Sequence, residues 1–234
     1  MSDVCATNLL DSGFLVLDKS AGISSNKALN AVKHRMREQT GRKVKVGHAG
    51  TLDPFATGVL VVLVGKATKQ CENVMGLAKT YEATVKLGAT TATLDPESNV
   101  ESGPVIEPPS RAQIEAVLAG MVGEVQQVPP AFSALKVNGK RAYKLARDGE
   151  TPKLSARTVR IDRLDLLDHD GLTLRLRVQS GRGFYVRSLA RDVAAALGTT
   201  GYLTQLRRTA VGPFTQDLAG DATQSLLPVT FLES

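Results

Sequence analysis

The chain has 234 residues, 42% apolar and 4% aromatic, with 29 Lys and Arg against 23 Asp and Glu for a formal net charge of +6. That length builds one sizeable core, or a core with a small appended lobe. No run reaches the roughly 18 apolar residues of a membrane span and no basic-then-apolar leader is read at the start, so the cytoplasm is the default expectation.

In chain order, residues 13–18 (Gly-Phe-Leu-Val-Leu-Asp) read as a short apolar strand. Ser24 or Ser25 then caps a helix beginning near Asn26, with Ala28, Leu29, Val32 and Met36 as its apolar stripe. Lys27, Lys33, Arg35, Arg37, Arg42, Lys43 and Lys45 make a first basic patch against Glu38 alone. Residues 47–60 follow, Gly-His-Ala-Gly-Thr-Leu-Asp-Pro-Phe-Ala-Thr-Gly-Val-Leu, and run into Val61-Val62-Leu63-Val64. A loop so rich in glycine and docked on an apolar run is a shaped one, able to hold a carboxylate still. Cys5 and Cys71 have no zinc-ligand or disulfide spacing and read as free thiols of a reducing compartment.

Residues 79–87 alternate, Tyr81, Ala83, Val85 and Leu87 on one face and Thr80, Glu82, Thr84 and Lys86 on the other, as a half-buried strand does. Residues 95–109 are expected as a surface loop. Ser110 and Gln113 form a capping box for a helix carrying Ile114, Val117, Leu118 and Met121. From Lys136 to Arg163 nine basic residues face three acidic ones, a second basic patch. Residues 172–178 form a strand with Arg175 and Arg177 outward, and a helix is predicted over 186–197 with Gly198 as its stop. Strands and helices mix without a repeating βαβ rhythm, which gives an α+β class.

Within these elements Asp53 has three readings: a turn residue beside Pro54, a metal ligand, or a catalytic carboxylate. No Asp/His spacing around it suits a metal, and no second carboxylate is specified nearby. His48 reads as a loop hydrogen-bonding residue or as a wedge into nucleic-acid bases. Tyr81 reads as core or as a site tyrosine. Arg187 stands in a first helical turn, against the helix dipole, and needs an anion there: a partner carboxylate or a phosphate.

The ordered motifs closely resemble the TruB-type tRNA pseudouridine-55 synthases. They are Gly47-His48-Ala49-Gly50-Thr51-Leu52-Asp53-Pro54, Gly65-Lys66-Ala67-Thr68-Lys69, Lys79-Thr80-Tyr81, Gln127-Val128-Pro129-Pro130, Ser133-Ala134-Leu135-Lys136, Gly183-Phe184-Tyr185-Val186-Arg187 and Leu206-Arg207-Arg208-Thr209. The resemblance implies that Asp53 is the catalytic aspartate, that Tyr81 stacks on the target uracil, and that Arg187 pairs with the carboxylate and orients it. It implies a base pocket lined by Tyr185 and Leu206, insertion of His48 into the T-loop, and a substrate-binding place for Lys19 in the N-terminal motif. Ser20 and Ile23 depart from that motif, and Gln179-Ser180 departs from the usual Cys-Ser before the glycine-rich approach to Arg187.

The fold implied is α+β, the pseudouridine-synthase catalytic fold with a central mixed, mostly antiparallel sheet and flanking helices. It is expected as a single catalytic domain over 10–234, with a thumb-like RNA-binding insertion at 128–153 and without the C-terminal PUA-like domain of many members. The reaction implied is isomerisation of a uridine in the T-loop of tRNA, which requires no cofactor and no metal. Asp53 either attacks C1′ or takes the C2′ proton, and both remain open. The expected partner is the T-stem-loop of tRNA, bound by a monomer with no required protein partner. A tRNA-binding or tRNA-folding factor is the second reading, supported by the two basic patches.

Overall fold

A computed structural model describes residues 12–137, 139–220 and 232, so the prediction for Cys5 lies outside the described residues. Two compact units are present, Met1–Leu77 with Arg207–Ser234, and Ala78–Leu206.

The chain enters the first unit through β1 (Gly13–Lys19), in which Phe14, Leu15, Val16 and Leu17 are all buried. Helix α1 (Ser25–Thr40) starts at Ser24, whose hydroxyl accepts from the Lys27 N–H at 3.1 Å, and stops at Gly41 with φ 69°. Its predicted stripe, Ala28, Leu29, Val32 and Met36, is buried. β2 (Val46–Ala49) and β3 (Thr57–Val64) flank the glycine-rich loop and pair antiparallel, Ala49 opposite Val61. A 3-10 turn (Gly65–Gln70) leads into α2 (Cys71–Gly76).

The second unit begins with β4 (Lys79–Leu87), at the predicted bounds, then β5 (Ala89–Thr91) and β6 (Val100–Ser102), which pair with each other. The expected loop 95–109 therefore contains a strand, and it begins on a buried residue, Asp95. Helix α3 (Arg111–Ala119) has the predicted capping box but ends before Met121. Next come β7 (Gly123–Gln127), the small hairpin β8 (Lys136–Val137) and β9 (Lys140–Arg141), α4 (Ala142–Arg147), and the long strands β10 (Arg157–Asp170) and β11 (Thr173–Ser180). Helix α5 (Val186–Ala196) precedes β12 (Gly201–Val211), inside which the unit boundary falls, and β13 (Phe214–Thr215) closes the series.

In the first unit β1 lines one edge of β3 along Gly13–Lys19, antiparallel. The last residues of β12 run parallel to β3, Arg207 beside Thr57 and Arg208 beside Gly58. The pairs β1–β3, β2–β3, β4–β11, β10–β11 and β7–β10 are antiparallel, so the class is α+β with mixed, mostly antiparallel sheet. Phe14, Val16, Val59, Val61 and Leu63 pack with Ala67, Val74, Val211 and Phe214, and the two phenylalanine rings meet edge to face at 5.2 Å. In the second unit the first half of β12, then β4, β11, β10 and β7 lie side by side. α1 lies on β2, α3 on β10 and α5 on β4.

The predicted basic outer face of β11 is present but charge-balanced. Arg177 donates to Glu82 at 2.8 Å and stands opposite Asp165, and Arg175 stands opposite Asp168. Glu82 on the neighbouring β4, invisible to a reading of 172–178 alone, occupies Arg177.

Candidate active site

The first unit holds Lys19, His48 and Asp53, and the structure ties all three to one loop. Asp53 is half-buried, and its carbonyl accepts from the Ala56 N–H at 3.1 Å, closing a tight turn through Pro54. Both neighbouring peptides are fixed. Before it, the Ser25 hydroxyl donates to the Leu52 carbonyl at 2.9 Å and accepts from the Leu52 N–H at 2.8 Å. After it, the Pro54 carbonyl accepts from the Gly22 N–H at 2.9 Å and from the Lys19 ammonium at 3.1 Å. The carboxylate is thus mounted on backbone that buried side chains hold on either side, which is the preorganisation catalysis requires.

Lys19 is 2% exposed, and its ammonium also donates to the carbonyls of Ser20 and Ile23 at 2.9 and 2.8 Å. It fastens the turn after β1 to the Asp53 loop, a backbone task beyond the substrate-binding place that the resemblance implies for it. A lysine followed by a small-residue turn is the only local sign of it.

His48 sits on β2 with its Nδ1 buried and no hydrogen-bond partner among the described residues. Burial lowers its pKa below the ordinary 6.5, and the cations of Arg208 and then Lys33 lower it further. The neutral form of the imidazole is therefore favoured, and a neutral planar ring suits stacking against a base. The Cys71 thiol donates to the His48 carbonyl at 3.9 Å.

The second unit holds Tyr81, Tyr185, Arg187 and Leu206. Arg187 has the anion its place in the helix demands: its Nη1 lies 3.2 Å from the Asp95 carboxylate, and the two side chains are 6% and 1% exposed. The same guanidinium donates to the Thr93 carbonyl at 2.8 Å and the Phe132 carbonyl at 2.9 Å. Asp95 is in turn fixed by the Thr93 hydroxyl at 2.5 Å and the Glu97 N–H at 3.0 Å. Thr91 bonds the Asp95 backbone on both sides, donating to its carbonyl at 2.7 Å and accepting from its N–H at 3.0 Å. Leu94 takes φ 59° to make this hairpin of hydroxyls, a conformation rare outside glycine. Sequence reasoning missed Asp95 because its neighbourhood is polar; the alternation Thr91, Thr93, Asp95 was the available signal.

Tyr185 precedes α5 and is held by Gln127, a buried amide that accepts from the Tyr185 N–H at 2.9 Å and donates to its carbonyl at 3.2 Å. Ser188 and Arg191 donate to the Val128 carbonyl at 2.8 and 2.9 Å. The start of α5 thus grips the base of the 128–153 segment at Gln127, Val128 and Phe132. Tyr81 lies on β4 opposite Val178, half-buried, and Leu206 is buried on β12.

Five cations of the first patch and the following turn, Arg42, Lys43, Lys45, Lys66 and Lys69, surround an open cavity of about 400 Å³ in the first unit. All five are exposed, as a surface for phosphates must be. Among the described residues no helix is long and apolar enough to cross a membrane.

Known proteins similar to this chain share one family description. The profile of the TruB family pseudouridylate synthase N-terminal domain matches residues 35–186. The tRNA pseudouridine synthase B of Arthrobacter sp. (strain FB24) is 46% identical over 214 residues, 89% of this chain and 68% of that protein. The tRNA pseudouridine synthase B of Parabacteroides distasonis is 43% identical over 205 residues, 87% of either chain. Among solved structures, a chain of a Cbf5–Nop10–Gar1 complex superposes with TM-score 0.65 at 28% identity, over 89% of this chain and 51% of that one. An H/ACA RNP bound to a substrate RNA containing 2′-deoxyuridine gives TM-score 0.61 at 26% identity, over 88% and 49%. The chain thus spans about half the length of those two.

Proposed function

The chain belongs to the TruB family of pseudouridylate synthases, and from that membership we propose that it converts uridine to pseudouridine in the T-loop of tRNA, at position 55. The observation that carries the tRNA assignment is identity of 43–46% across most of its length to proteins named tRNA pseudouridine synthase B. The reaction is an isomerisation: the N1–C1′ bond breaks, the uracil turns, C5 bonds to C1′, and the C5 proton leaves while N1 gains one. No electron or group donor enters the balance.

Asp53 is the catalytic carboxylate in this reading, acting either on C1′ or on the C2′ proton. Its fixed loop supports the role, because a carboxylate held at both flanking peptides reaches an extruded nucleoside without reorganising. Arg187 orients that carboxylate, and its own aim is set by Asp95, Thr93 and Phe132. Tyr81 stacks on the uracil, Tyr185 and Leu206 line the base pocket, and neutral His48 enters the T-loop. Lys19 contributes by fixing the Pro54 carbonyl. The basic cavity and the 128–153 segment supply phosphate contacts. The enzyme acts as a cytoplasmic monomer on the T-stem-loop.

The deciding experiment measures tritium release from C5-labelled uridine in unmodified tRNA, with wild type and Asp53→Asn side by side. Release by wild type alone, with tRNA binding retained by the variant, is the expected result. Turnover by Asp53→Asn would sink the assignment of the carboxylate. A folded wild type that binds tRNA without releasing tritium would favour a tRNA-binding or folding role.

A further inference from the structure

We propose that Arg208 is a positioning residue of the Asp53 loop, its buried guanidinium bridging the two ends of that loop. The proposal rests on Asp53 being the catalytic carboxylate. Arg208 is 1% exposed, and its Nε donates to the Val59 carbonyl at 2.8 Å while Nη2 donates to the Gly50 carbonyl at 3.0 Å. Gly50 lies three residues before Asp53 and Val59 six after, so a single rigid fork spans the whole turn.

The cation is placed by backbone contact. Arg208 stands beside Gly58 in the parallel register, and a Cβ on Gly58 would come within 2.1 Å of the Arg208 carbonyl oxygen. Gly58 also takes φ 100°, so only glycine lets β12 approach β3 this closely. Gly50 takes φ 88°, which L side chains rarely adopt, and its Cα faces the guanidinium, where a Cβ would stand at ordinary contact, 3.4 Å from Nη1. The glycine at position 58 is therefore explained by the close approach of the Arg208 backbone.

Among the described residues no carboxylate pairs with Arg208. A buried cation held only by carbonyls costs desolvation that an apolar residue would avoid, so packing alone does not account for it. Its planar fork does what lysine cannot, gripping two carbonyls with fixed spacing. Its charge also acts on His48, whose imidazole it helps keep neutral together with Lys33 of α1.

The test uses the full chain with Arg208→Lys and Arg208→Met. Three quantities are measured for each: the single-turnover rate of tritium release, the dissociation constant for tRNA, and the titration of His48 by NMR. Arg208→Lys is expected to lose on the order of a hundredfold in rate, the scale of a small misplacement of a catalytic group, with tRNA affinity and the His48 titration unchanged. Arg208→Met is expected to lose rate similarly and to move the His48 titration upward, because the charge is gone. Should Arg208→Met fail to fold, Arg208→Lys decides the question alone. A wild-type rate in Arg208→Lys, or a rate loss matched by an equal loss of affinity, overturns the proposal. A wild type that releases no tritium counts against the reaction assigned to the protein; the His48 titration in Arg208→Met then decides whether Arg208 governs this loop, an unmoved titration overturning it.

Discussion

Arg187 and Asp95 form an ion pair of 3.2 Å between side chains that are only 6% and 1% exposed, 92 positions apart in sequence. The pair is locked by the Thr93 hydroxyl on the carboxylate and by the carbonyls of Thr93 and Phe132 on the guanidinium. Such a pair is poor evidence of net stability, because desolvation offsets the attraction, but it is strong evidence of a fixed geometry. The guanidinium cannot rotate without abandoning three acceptors.

Replacing Asp95 with Asn therefore carries two expected consequences. Removing one member of a buried pair costs about 3 kcal/mol or more, read as a lowered urea midpoint at unchanged slope. Pseudouridine formation falls by more than the folded fraction does, because Arg187 loses its aim. Unfolding measurements beside single-turnover assays check both; a variant with wild-type rate and stability shows that Arg187 needs no second anchor.

Much of this arrangement is legible in the sequence where local chemistry is decisive. Ser24 caps α1, Ser110 and Gln113 box α3, and strict alternation fixes β4. Asp53 stands out because glycines and a proline surround it. The strands β10 and β12 escape notice for a physical reason. β10 carries two register shifts, between Ile161 and Arg163 and between Leu166 and Asp168, and each bulge breaks the period-two pattern by which a strand is recognised. β12 hides a fully buried arginine, whose sequence sign is that of a solvated surface. Asp95 and Arg208 share this difficulty. A charge is read as exposed until its partners, remote in sequence, are placed beside it.

His48 gives a prediction for pH. Its pKa in the folded protein is lowered by burial first, then by Arg208 and Lys33, while in the unfolded chain it returns to the ordinary 6.5. As pH falls below that value, the unfolded state takes up the proton before the folded state does. The folded state thus loses stability on acidification, progressively until its own lowered pKa is passed, and the contribution is flat above about pH 7.5. The slope from one such group cannot exceed about 1.4 kcal/mol per pH unit. Urea midpoints measured from pH 7.5 to pH 5 are expected to fall more steeply for wild type than for His48→Gln. Parallel curves would show that the imidazole is protonated as easily in the folded protein as outside it.

The distribution of charge makes the last prediction, since the cations around the cavity of the first unit and those on the basic face predicted for β11 stand in different surroundings. Arg177 on β11 is occupied by Glu82 at 2.8 Å and faces Asp165 across the strand pair, so an approaching phosphate must compete with carboxylates already in place. Lys66 and Lys69 are exposed and border the cavity that Arg42, Lys43 and Lys45 complete, where positive charge accumulates on one wall after another. Phosphate contacts release counterions, so each one lost lowers the salt slope of binding by about 0.7 to 0.9. Lys66→Ala with Lys69→Ala is expected to weaken tRNA binding and to flatten the dependence of log K on log salt by about that amount per lysine. Arg177→Ala is expected to leave both the affinity and the slope as in wild type. Filter-binding titrations across a range of salt concentrations separate the two surfaces. An unchanged slope in the double lysine variant, with a flatter one in Arg177→Ala, would move the RNA footprint from the first unit to the face of β11.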